Sequence, residues 1–128
     1  MALPPNLSQA EFDSALGEFE AVVGTDWVFS SDADVALYRD SYSPFWGEDE
    51  ERIASAAVAP DSVEEVQEIV RIANRYLIPL YPISTGRNLT YGGAAPTLTG
   101  SVVLDLKRMN RIIEVNDKRN YALVEPGV

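Results

Sequence analysis

The sequence predicts an α+β fold, a βαβ unit with added strands and a hairpin, and three observations carry that reading. Two segments open with helix-capping signatures and continue with apolar residues at helical spacing. Between and after them lie apolar runs of strand length joined by short links. A long polar loop containing glycine interrupts the strands directly after one of them.

Ser8-Gln9-Ala10-Glu11 is a capping box, and Phe12, Leu16, Phe19 and Val23 follow at spacings of three and four, so an amphipathic helix is expected to end near Gly24. Residues 26–30 read as a short strand and residues 32–39 as a short helix capped by Ser31 or Asp32. Residues 40–52 alternate aromatic and acidic side chains and are expected to form an extended surface loop. Its run Glu48-Asp49-Glu50-Glu51 reads as solvated, because a metal site needs ligands that converge; no metal site is expected. Trp27, Tyr38, Tyr42, Phe45 and Trp46 read as a packing surface.

From Ile53 to Ala59 an apolar run of strand length is stopped by Pro60. Ser62-Val63-Glu64-Glu65 is a second capping box, with Val63, Val66, Val70, Ala73 and Leu77 as the apolar stripe of the helix it opens. Leu80-Tyr81-Pro82-Ile83 is the next strand, and short links predict that the two strands are parallel neighbours. After the loop of residues 84–100, Ser101 to Leu106 forms a further strand. Residues 112–115 and 121–125 alternate around a polar turn and predict a hairpin. Two regions result: residues 1–52, a helix and an acidic, aromatic segment, and residues 53–128, the α/β part. The closing Glu125-Pro126-Gly127-Val128 is turn chemistry that normally leads into another segment, so the expectation is a truncated domain.

A chain of 128 residues, 46% of them hydrophobic, supports one core. Its 20 acidic and 10 basic residues give a net charge of −10, which disfavours nucleic acid and anionic membranes as partners. Lys107, Arg108, Arg111, Lys118 and Arg119 crowd the last stretch, leaving that half better suited to hold a phosphate. The absence of cysteine and histidine removes thiolate chemistry and the commonest general base. The amino-terminal residues carry neither a basic n-region nor an apolar h-region, so a cytoplasmic protein is expected.

Chemistry concentrates in Ser84-Thr85-Gly86-Arg87-Asn88-Leu89-Thr90-Tyr91-Gly92-Gly93. Glycines let the backbone turn its N–H groups toward one anion, while hydroxyls, the Asn88 amide and Arg87 add directed donors, the mixture a pyrophosphate requires. The loop is neither a Walker A sequence nor GxGxxG.

Four strings carry a family resemblance: Pro82 to Asn88; Tyr91-Gly92-Gly93-Ala94-Ala95-Pro96; Ser101 to Leu106; and Tyr121 to Val128. In order and spacing they resemble the vanillyl-alcohol oxidase and p-cresol methylhydroxylase family, which includes 4-cresol dehydrogenase and eugenol oxidase. The resemblance implies the first α/β subdomain of a p-cresol-methylhydroxylase-type FAD-binding domain. It places Pro82, Ile83, Ser84, Thr85, Gly86, Arg87, Asn88, Leu89, Tyr91 and Gly92 around the FAD pyrophosphate, with Gly127 also close to the cofactor. It implies that Tyr91 holds the phenolate oxygen of a para-substituted phenol, easing hydride loss from the benzylic carbon to flavin N5 and giving a quinone methide.

It further implies a small phenolic substrate, oxygen or a cytochrome c as electron acceptor, and a homo-oligomeric full-length protein. The family pattern carries glycine where this chain has Thr90, which disfavours a positive φ there by ~1 kcal/mol or more. Either the loop turns differently or the chain belongs to a separate subgroup. Two other readings stand beside this one: a non-catalytic nucleotide-binding remnant, and an FAD-linked 2-hydroxy-acid oxidoreductase, which shares the same helix start.

Overall fold

The computed structural model describes residues 2–86 and 95–128. Helix α1 spans Gln9–Val23, with both bonds of the capping box formed between Ser8 and Glu11. The chain then makes a 3-10 turn at Thr25–Trp27 and a short strand β1, Val28–Phe29, so the strand expected from residue 26 is mostly turn. Helix α2 is Asp32–Ala36, capped by Ser31. Strand β2 (Ala56–Val58), helix α3 (Val63–Tyr76), strand β3 (Leu80–Ile83) and strand β4 (Val102–Asp105) follow. Strands β5 (Ile112–Asn116) and β6 (Tyr121–Val124) form a separate antiparallel hairpin.

The four-stranded sheet has the order β1-β2-β4-β3, which corrects one expectation: β2 and β3 are both parallel to β4, which lies between them. An α-helix is about 10 Å across and strands lie about 4.8 Å apart, so a single crossover by α3 spans two strand spacings and leaves room for a later strand. The occupant is β4, whose four residues are all buried. Pro82 lacks a ladder donor and sits on β3, at the sheet edge where its missing N–H is tolerated.

Helices α1 and α3 pack together on one face. Phe12, Ala15, Phe19 and Val23 meet Ile69, Ile72, Ala73, Val58 and Val102 in one cluster. The buried face of α3 is centred on Ile69, Ile72 and Ala73; of the stripe read from the sequence, Ala73 is buried and Val66 packs against the core. Val63, Val70 and Leu77 of that stripe are exposed, because seven-residue spacing places them along one flank while the larger isoleucines take the centre. The cap of α3 differs slightly as well: Ser62 Oγ accepts from Glu65 N, but Glu65 accepts from Asp61 N, one residue earlier than a capping box requires. On the other face of the sheet, Val35 and Tyr38 pack with Ala54, Ala57 and Val103.

Residues 40–52 are a series of tight turns, not the extended loop expected. Backbone bonds link Ser43 to Asp40, Trp46 to Ser43, Glu48 to Phe45 and Glu51 to Glu48. Among the described residues no helix is long and apolar enough to cross a membrane.

Candidate cofactor site at the carboxyl edge of the sheet

Because β2, β4 and β3 run parallel, their carboxyl ends share one edge, the place where open α/β sheets bind ligands. The polar loop leaves β3 at this edge. Of the residues assigned to the cradle, Pro82, Ile83, Ser84, Thr85, Gly86 and Gly127 are described, while Arg87, Asn88, Leu89, Tyr91 and Gly92, with Thr90, lie outside the described residues. Ser84 and Thr85 are exposed immediately beyond the strand, and Gly86 turns the chain with φ 69°. A positive φ is costly for any residue with a side chain, so the glycine is what lets the backbone fold round at this point. Two exposed hydroxyls beside such a turn are a donor set that fits the pyrophosphate of a dinucleotide.

Gly127 reaches the same edge from the end of β6. Its N–H donates to Met109 O at 2.8 Å. A Cβ on Gly127 would lie 2.5 Å from Leu106 O and 2.8 Å from the carbonyls of Lys107 and Met109. Its missing side chain is therefore required by the turn that follows β4, which seats residues 125–128 beside the end of that strand.

A polar cluster that carried no role in the sequence reading stands at this edge. Asp105 is 4% exposed and is the register partner of Ile83, the last residue before the loop. Tyr38 Oη donates to Asp105 Oδ2 at 2.9 Å, Lys107 Nζ lies 3.1 Å from the same oxygen, and Lys107 N donates to Oδ1 at 3.1 Å. Burial, then the Asp105 carboxylate, pushes the Tyr38 phenol far above its ordinary range, so Tyr38 acts as a fixed donor across accessible pH. The signal available was a lone carboxylate closing the apolar run Val102-Val103-Leu104.

Three cations expected to favour phosphate are already engaged. Lys107 pairs with Asp105, and Arg111 binds Glu125 through its backbone N–H at 2.8 Å and its guanidinium. Arg108 donates to Ala59 O at 2.8 Å and stacks 4.3 Å over the Trp27 ring.

The acidic run also needs correction at its last member. Glu48, Asp49 and Glu50 are exposed as read, but Glu51 is 8% exposed. It accepts from Arg39 Nε at 2.7 Å, from a second Arg39 nitrogen, and from Gly47 N at 2.7 Å. The Arg39 bonds first, then the Gly47 bond, hold its carboxyl down to about 2. Arg52 donates to the Thr97 carbonyl, joining this segment to the far end of the polar loop.

With the geometry in place, comparison with known proteins gives a consistent answer. A family model described as an FAD binding domain matches residues 54–128. The 4-cresol dehydrogenase [hydroxylating] flavoprotein subunit of Pseudomonas putida is 44% identical over 126 residues, covering 98% of this chain and 24% of the relative. The crystal structure of p-cresol methylhydroxylase with substrate bound superposes with a TM-score of 0.91 at 44% identity, covering all of this chain and 24% of that one. The 4-ethylphenol oxidase from Gulosibacter chungangensis, in its isoeugenol complex, superposes with a TM-score of 0.90 at 47% identity, covering 98% of this chain and 24% of that one. The chain thus spans about a quarter of the length of the relatives it matches. It belongs to the vanillyl-alcohol oxidase and p-cresol methylhydroxylase family of FAD-dependent oxidoreductases, as an FAD-binding region whose cofactor is FAD.

Proposed function

We propose that this chain is the pyrophosphate-binding portion of an oxidoreductase acting on para-substituted phenols. The observation that carries the reading is the match to two phenol-oxidising relatives along essentially the whole chain, at 44% and 47% identity. Bound FAD supplies the hydride acceptor. The chain's own contribution is to hold the anion, through Ser84, Thr85 and the Gly86 turn, with Arg87 and Asn88 as further donors in this reading. Tyr91 serves as donor to the phenolate oxygen, the group whose charge drives loss of hydride from the para benzylic carbon. Electrons then pass to oxygen or to a cytochrome c, and the working protein is a homo-oligomer in the cytoplasm.

The test is anaerobic reduction of the flavin in the native protein purified from its own cells. A 4-alkylphenol is expected to bleach the flavin spectrum within turnover times, and a 2-hydroxy acid is expected to leave it oxidised. The reverse pattern would move the protein to the 2-hydroxy-acid reading, and no reduction by either would favour a non-catalytic remnant.

A further inference from the structure

We propose that residues 38–52 form a two-point brace holding both described ends of the cofactor loop, with Arg52 its decisive positioning residue; this rests on reading that loop as the FAD cradle. At the entry end, Tyr38 binds Asp105, whose register partner Ile83 directly precedes Ser84. At the exit end, Arg52 donates to Thr97 O, and the next residue, Ile53, accepts from Gly100 N at 2.8 Å.

The two anchors are linked by neighbouring residues. Arg39 follows Tyr38, Glu51 precedes Arg52, and the Arg39–Glu51 pair closes the turns between them. Arg39 also lies 3.8 Å over the Trp46 ring, which fixes the guanidinium plane from the other side. A buried carboxylate held by a two-pronged guanidinium and a backbone N–H has little freedom, so the position of Arg52 is set by the fold. The contact at Thr97 crosses a cleft of about 280 Å³ lined by Asp40, Phe45, Glu51, Arg52, Pro96 and Thr97, and is not embedded in a packed seam. Pro96 is buried while Thr97 is exposed, so the bond from Arg52 to the Thr97 carbonyl adds a directed hold on residues 95–97 at their exposed member.

The two anchors differ in kind: Tyr38 also packs in the apolar cluster on its face of the sheet, whereas Arg52 is exposed, so a positional role can be separated from a structural one at Arg52. The brace relates the described start of the loop, Ser84, to its described end at Thr97, so that both ends are held before an anion binds.

The experiment compares the purified chain with Arg52→Ala and Arg52→Lys variants. FAD affinity is read by fluorescence quenching, thermal midpoint by circular dichroism, and amide exchange by mass spectrometry over residues 84–100, α1 and α3. Arg52→Ala is expected to weaken FAD binding by roughly 3- to 30-fold, the range over which such coupling usually acts. Exchange at residues 95–100 should rise while α1, α3 and the midpoint stay unchanged, and Arg52→Lys should recover part of the loss because an ammonium still donates to the Thr97 carbonyl.

Unchanged affinity and unchanged exchange at residues 95–100 would overturn the brace. So would a lowered midpoint with faster exchange everywhere, since that would make Arg52 merely structural. If the unaltered chain binds no FAD while Arg52→Ala still loosens residues 95–100 alone, the brace stands and the cradle reading falls. If both bind FAD equally well, the brace falls and the cradle stands.

Discussion

Strand β4 and the β5–β6 hairpin are built from similar side chains and meet opposite surroundings. Every residue of β4 is buried, and even Asp105 is there only because Tyr38 and Lys107 satisfy it. In the hairpin, Ile112, Ile113, Val115, Leu123 and Val124 are all exposed, Val115 at 71%. Both are hydrogen-bonded in ladders, the hairpin with a register shift between Ile112 and Glu114. The difference teaches that β-propensity and alternation give a strand its backbone, while burial depends on what is packed against it. The sheet has α1 and α3 on one face and Val35, Tyr38 and Ala54 on the other, whereas the hairpin leaves its apolar side chains uncovered and meets the turn after β4 at its base, where Gly127 packs against the carbonyls of Leu106, Lys107 and Met109.

The largest test of this contrast is Ile69→Ala, which opens a cavity in a fully buried site and is expected to cost about 2–5 kcal/mol by denaturant unfolding. A cost under 1 kcal/mol would mean that α3 is not pinned to the sheet as described. Tyr38→Phe keeps the ring but removes one partner of buried Asp105; with Lys107 still present, about 1–2 kcal/mol should be lost. Loss of nothing would show that Lys107 alone satisfies the carboxylate.

Acid titration sharpens the account of residues 40–52. Glu51 is held at about 2 when folded against an ordinary 4.5, so it contributes stability that is present above pH 4.5 and is lost as pH falls toward 2. Glu51→Gln should therefore be less stable at neutral pH and should show a shallower fall in melting temperature between those values. Parallel profiles for the two proteins would place Glu51 in solvent after all. The smallest effect is expected at Ile113→Ser, which removes an exposed side chain from the hairpin and should change stability by within about 0.5 kcal/mol. A large loss there would mean that the hairpin has apolar cover that its exposure denies.

Much of the fold was legible because it is written in short-range chemistry. Ser8 and Glu11 announce α1, Ser62 announces α3, and Pro60 marks the end of the β2 run, each through contacts within a few residues. Sheet order was not legible, since the place of β4 between β2 and β3 depends on contacts across more than forty residues, such as Ala56 with Val102. Glu51 was misread for a related reason: its partner Arg39 lies twelve residues away, and a run of four carboxylates gives no local sign that the last one turns inward. Asp105 was visible as a charge ending an apolar strand, but Tyr38 as its partner was not. The glycine-containing loop is read from its donors and its place after a strand, and its described part, Ser84 to Gly86, consists of two exposed hydroxyl residues leading into a turn at positive φ.

Whether this loop holds the FAD pyrophosphate is decided by titration of FAD into the purified chain, with riboflavin as the control that lacks phosphate. A loop that holds the pyrophosphate gives saturable quenching by FAD, weakened by Arg87→Ala and absent with riboflavin. Equal binding of FAD and riboflavin, or FAD binding indifferent to Arg87→Ala and to Ser84→Ala with Thr85→Ala, would contradict it.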